Sequence, residues 1–225
     1  MGSQEITVQV PFIVCGGYAG RDRQKVQEHV DELATLGVAP PAEVPILFAV
    51  TADLATTAGH IDVQGSETSG EVEFVLLQVH GEWFVTVGSD QTDRELERFS
   101  IDKSKQICPK ITGQALWPLR EVSDHWDSLR LTSWVTKDCT RSLYQDEHLS
   151  ALIAWQDLLR LVNERAPRAL EDEALIFSGT IPTRSGLVFA DLFEMEISDP
   201  VLKRSIWHQY MIRSLAGAGT VLRTT

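Results

Sequence analysis

The stretch TSGEVEFVLL at residues 68–77, with VGSDQTDR at 87–94, decides how this chain reads. Glu71 and Glu73 stand two apart in a run rich in β-formers. On a strand, both carboxylates therefore point to one face, and Val72 and Phe74 to the other. Two carboxylates side by side on a half-buried face repel each other and resist desolvation unless a cation lies between them. Asp90, at the end of the next apolar run, offers a third oxygen. Three carboxylates completed by water suit a hard octahedral cation such as magnesium or manganese. The same spacing also suits a solvated edge strand, where charge guards against aggregation. Spacing alone leaves both readings open.

Outward from this stretch the chain is well punctuated. Residues 71–79 and 83–87 flank His80-Gly81, which predicts a hairpin. Upstream, ITVQVPFIV (6–14) alternates like a strand, and Gly16, Gly17 and Gly20 mark a turn. Val26, Val30, Leu33 and Leu36 then recur at helical spacing from Asp22 until Gly37. Pro40, Pro41 and Pro45 lead into an extended PILFAV. Further strands are expected at 61–65, 129–135, 174–177 and 187–197, with one helical turn at 93–99. The broad apolar face of Leu149, Leu152, Ile153, Trp155, Leu159 and Val162 predicts a second long helix from Leu143 to Asn163, closed by Pro167. Asp199-Pro200 reads as a turn before a C-terminal element. The expectation is one β-rich mixed α/β domain over residues 1–225 with two clear helices.

Twenty Lys and Arg against thirty-two Asp and Glu leave the 225-residue chain at −12. That field repels phosphate backbones and anionic lipid, which argues against nucleic-acid and membrane-surface roles. No apolar run approaches the roughly 20 residues needed to span a bilayer. The amino end lacks the basic segment of a secretory signal. Cys15, Cys108 and Cys139 form no CxxC pair, so neither a zinc nor a disulfide framework is expected. A reduced, cytoplasmic protein is the expectation.

Six pieces occur in an order that resembles the fumarylacetoacetate hydrolase superfamily: GYAGRDRQKVQEHVDEL, PILF, EVEFVLL, SDQTDR, KSKQICP and SGTIP. More narrowly, the chain is similar to a subgroup of small, functionally uncharacterised proteins with TSGEVE, GSDxTDR and SKQxCPK signatures. The resemblance implies a β-roll with flanking helices, usually a homodimer, in which residues 1–44 form a strand and lid-like helix and 45–225 the roll. It implies a magnesium or manganese ion on Glu71, Glu73 and Asp90. It further implies Arg94 near the substrate carboxylate or bracing the ligand loop, Thr180 and Lys105 near the substrate, Lys103 as the active-site lysine (Lys105 being the other choice), and His29 with Glu32 as a dyad that orients water or moves a proton. The implied activity is hydrolysis or decarboxylation of a small 2-oxo acid or β-dicarbonyl through a stabilised enolate.

Each residue also has a plainer reading. His29 and Glu32 lie on a helix rich in polar side chains, Arg94 can pair with Glu97 or Asp90, and Lys103, Lys105 and Lys110 can be an ordinary basic loop. Thr180 can simply end a strand. Cys108 beside Pro109 suits a small buried side chain better than a nucleophile. The alternative function is a non-catalytic or vestigial member that binds a small carboxylate or serves in an assembly.

Overall fold

The computed structural model describes residues 8, 10–35, 40–41, 43–171 and 174–215. In chain order its elements begin with β1 (Phe12–Gly17), α1 (Arg23–Thr35), β2 (Ile46–Thr51), β3 (Ala55–Thr56), β4 (His60–Val63) and β5 (Thr68–Ser69). The central hairpin follows as β6 (Val72–Val79) and β7 (Glu82–Asp90), then β8 (Thr92–Asp93), α2 (Arg94–Glu97), α3 (Ile101–Gln106), β9 (Lys110–Thr112) and β10 (Trp117–Pro118). The second half contains β11 (Arg130–Lys137), β12 (Thr140–His148), α4 (Trp155–Arg165), α5 (Arg168–Glu171), β13 (Leu175–Phe177), β14 (Leu192–Asp199) and β15 (Arg204–Ser214).

Eight strands form one curled sheet in the order β2-β1-β13-β6-β7-β9-β3, with β10 on β7. Five more form a second sheet, β12-β11-β14-β15-β4, and β5 pairs with β8. Strand β6 is buried on both faces, and its two-residue period assigns each side chain. Val72, Phe74 and Leu76 point into the larger core, shared with Leu131, Phe193, Met195 and Tyr210 of the second sheet and with Leu158 and Val162 of α4. Val75, Leu77 and Val79 point the other way, into a smaller core with Ile13, Cys15, Val50 and Phe177. Phe74 meets Trp126 edge to face at 4.9 Å between ring centroids. Burial of such a side chain stabilises the fold by about 2–3 kcal/mol.

The central hairpin turns where the sequence placed it. His80 (φ 50°) and Gly81 (φ 80°) both adopt positive φ, as a twist-matched two-residue turn requires. Helix α1 spans all but the ends of the predicted segment. The second helix is a correction: residues 140–148 are strand β12, and only Trp155–Arg165 are helical. Asp138 (φ 49°) and Cys139 (φ 62°) make another tight turn that folds β12 back on β11. Leu149 and Leu152 are buried from a 3-10 turn and its exit, so their spacing with Trp155 and Leu159 only mimics a helical face. The strand expected over 187–197 begins later, at Leu192.

Candidate metal centre

The β6–β7 register builds the site. Glu73 lies opposite Gly88, Val72 opposite Ser89, and Asp90 N–H donates to the Glu71 carbonyl at 3.1 Å. Glu71, Glu73 and Asp90 therefore share the face that continues into the smaller core. Gly88 is required there: a Cβ at this position would lie 2.4 Å from Val75 Cγ2 and 2.8 Å from the Phe177 ring. One oxygen from each of the three acids lies within 4.8 Å of the others. Adjacent ligands of an octahedral magnesium are about 3.0 Å apart and opposite ones about 4.2 Å, so the trio would draw together around such an ion.

Glu73 and Asp90 are both wholly inaccessible to solvent, yet their surroundings differ. Glu73 Oε2 accepts the Gly179 N–H at 2.8 Å, and Glu73 Oε1 is buried with no hydrogen-bond partner. Burial, reinforced by the Asp90 charge, pushes the Glu73 carboxyl well above the usual carboxylate value. Burial would raise Asp90 too, but the charges of Lys105 and Lys110 overcome it and hold Asp90 at about 2. Lys105 Nζ is 2.5 Å from Asp90 Oδ2 and 3.7 Å from Glu71 Oε2; Lys110 Nζ is 3.1 Å from Asp90 Oδ1. An orphaned buried carboxylate oxygen facing two further acids fits a divalent cation, because an unpaired buried acceptor is otherwise costly.

The site residues expected from the sequence are brought together unequally. Lys105 is buried against the trio, whereas Lys103 is exposed on the solvent side of α3 and does not reach it. Two steps along a helix rotate a side chain by more than half a turn, so one lysine faces inward and the other out. Arg94 is 7% exposed. It gives two hydrogen bonds to Glu97 at 3.0 and 2.9 Å, one from Nε to Ser69 at 2.7 Å, and an ion pair to Glu71 at 2.8 Å. That guanidinium braces Glu71. The Thr180 hydroxyl donates to the Val72 carbonyl at 2.9 Å and accepts from Gln145 at 2.8 Å, so it is tied to β6. His29 and Glu32 lie on α1, and their side chains are outside the described residues.

Cys108 is buried, and burial pushes its thiol up to about 11, which removes the thiolate a nucleophile needs. Gln91 reaches away from the acids, donating to Thr68 at 2.8 Å and accepting from Tyr210 at 2.8 Å.

Two contributors are not singled out by sequence reasoning. Gln145 is fully buried and accepts from Val72 N–H and Ser133 Oγ while donating to Thr180 and Ile181, fixing the 178–181 loop that holds Glu73. Lys110, which the sequence allows as part of an ordinary basic loop, is wholly buried.

This curled sheet with an acidic trio at the open end of its central hairpin defines a protein of the fumarylacetoacetate hydrolase fold. Solved structures with that fold include one designated Cg1458 with inhibitor, at TM-score 0.64 and 16% identity over 91% of this chain and 77% of the other. A 2-keto-3-deoxy-D-arabinonate dehydratase complexed with magnesium and 2,5-dioxopentanoate matches at TM-score 0.60 and 16% identity, covering 91% and 73%. A 4-oxalocrotonate decarboxylase from Pseudomonas putida G7, complexed with calcium and acetate, matches at TM-score 0.57 and 14% identity, covering 91% and 77%. No curated protein matches the sequence. Within this fold the chain belongs to the family described as protein of unknown function DUF2848, whose family model matches residues 16–210.

Proposed function

We propose that the protein is a divalent-cation-dependent hydrolase or lyase that breaks a C–C bond of a small 2-oxo acid or β-dicarbonyl, by hydrolysis or decarboxylation. The observation that carries this reading is the convergence of Glu71, Glu73 and Asp90, together with the unpartnered buried Glu73 Oε1. Those side chains would hold magnesium or manganese, which supplies Lewis-acid stabilisation of negative charge developing on carbonyl oxygens. Two proteins of this fold are a dehydratase complexed with magnesium and an oxo acid and a decarboxylase complexed with calcium, which supports the chemistry.

The chain's own groups divide the remaining work. Lys105 presents a buried ammonium at the edge of the trio, where it stabilises an oxyanion or a carboxylate more strongly than it could in water. Arg94 fixes Glu71, and the Gly179 N–H with the Thr180–Gln145 bond fixes Glu73 and its strand. His29 and Glu32 are assigned the proton transfer from water to substrate carbon that hydrolysis requires. Residues 1–44 would act as the lid over a roll formed by 45–225, one domain in all, in a cytoplasmic homodimer. Among the described residues, no helix is long and apolar enough to cross a membrane.

One feature favours the second reading, a non-catalytic member that binds a small carboxylate: Lys105 already gives the acids a cation of their own. Oxaloacetate, 4-oxalocrotonate and acylpyruvates incubated with protein and Mg2+ separate the two. Turnover that needs Mg2+ and is lost in Glu73→Ala and His29→Ala is the expected result. Mg2+-dependent thermal stabilisation by these acids without product would support the second reading instead.

A further inference from the structure

Asp90 carries a lysine on each carboxylate oxygen, and the two lysines are held in different ways. Lys110, wholly buried, donates to the carbonyls of Gln91 at 2.8 Å, Lys105 at 2.5 Å and Cys108 at 2.9 Å, besides facing Asp90 Oδ1 at 3.1 Å. An ammonium has three protons to donate, so four oxygens leave it no freedom. The three carbonyls belong to β7's exit, α3 and the turn into β9, so Lys110 pins these segments and Asp90 together. Lys105 has no such cage. Its contacts are Asp90 Oδ2 at 2.5 Å, Glu71 Oε2 at 3.7 Å and the Phe48 ring, 5.8 Å from Nζ to centroid. It reaches two of the three acids from one side and leaves Glu73 Oε1 without a partner.

Resting on the metal site proposed above, we infer that Lys110 is a fixed internal cation that positions Asp90 as a ligand. Lys105 is a place-holder that leaves the trio when a divalent cation enters. Asp90 Oδ2 is then the oxygen released for coordination, and Oδ1 stays on Lys110. The Lys105 ammonium is then available to an incoming anion only after the cation is in place. Lys110 is a positioning residue, because it touches no atom that a substrate could reach.

Simple charge counting predicts that removing either lysine tightens cation binding, since each repels the incoming charge. The division of labour predicts opposite signs. Titration calorimetry of Mg2+ into the full chain should show Lys105→Met binding at least about tenfold more tightly than wild type. Lys110→Met should bind at least about tenfold more weakly, as loss of a ligand's outer support does. Tightening in both variants, or weakening in Lys105→Met, overturns the inference. No binding by wild type removes the metal site itself, a separate failure.

The wild-type protein gives a second decision should Lys110→Met not fold. Mass-spectrometric mapping of amine acylation should show Lys105 labelling rising on addition of Mg2+ and Lys110 staying unlabelled throughout. Lys105 labelling that falls or stays constant while Mg2+ binds contradicts the exchange.

Discussion

Two hairpins with the same turn geometry carry charge in opposite ways. The β6–β7 hairpin lies in the middle of the larger sheet and places Glu73 and Asp90 where no solvent reaches. The β11–β12 hairpin lies at the edge of the second sheet, and the arginines of its ion pairs reach solvent while their carboxylate partners are largely covered. Arg130 grips Asp146 with two bonds of 2.6 Å, and Arg141 holds Glu194 at 2.7 and 3.1 Å. Distances alone would rank these pairs with Lys105–Asp90. Their energetics differ, because solvent reaches and screens the arginine of each edge pair, whereas both partners of Lys105–Asp90 are buried and pay desolvation. A buried acid without a full set of partners points to a ligand, and a well-paired acid does not.

Asp90→Asn should have the largest effect. It strips two buried lysines of their counter-charge and should cost about 3–5 kcal/mol in urea unfolding with chelator present. A loss no larger than that of an edge-hairpin variant would erase the distinction between the two regions. Gln145→Ala comes next, since it orphans buried groups on β6 and in the 178–181 loop at about 1–3 kcal/mol each before relaxation. The same unfolding measurement reads it.

Glu73→Gln should change sign with conditions. Glu73 has a folded value raised well above 4.5, so its contribution to stability is full below pH 4.5 and lost as pH rises through that folded value. Without metal, the Gln variant should therefore match wild type at pH 4 and be the more stable of the two at pH 8. With Mg2+ at pH 8 the order should invert, because only wild type gains from the ion. Asp90, lowered from 3.8 to about 2, works the other way: its stabilisation is present above pH 3.8 and lost as pH falls through about 2. Thermal melts across pH with and without chelator check both slopes. Lys137→Ala should be the smallest, at most about 1 kcal/mol, because its ion pair with Asp191 is exposed on both sides, and weaker still in high salt.

The contrast also explains what the sequence revealed. In β6, each face is buried against a different core, so the β-forming run up to His80-Gly81, with its two-residue period, set its faces, its hairpin and the clustering of Glu71, Glu73 and Asp90. In β12, most of the strand is exposed, so no alternation had to be kept. The apolar residues after it then imitated a helix from Leu143. Long-range chemistry was the least legible. Nothing local tells that Gln145 reaches Val72 and Thr180, or that Lys110 turns inward to three carbonyls. Lys103 and Lys105 are equivalent by composition, and only the orientation of α3 separates them.

The most direct test of the central claim is an anomalous-difference map from crystals soaked in Mn2+. A single strong peak bonded to one oxygen each of Glu71, Glu73 and Asp90, at about 2.1–2.2 Å, is the result this account predicts. Ordered crystals with no peak between these three carboxylates, and Lys105 still on Asp90 at saturating Mn2+, would contradict it.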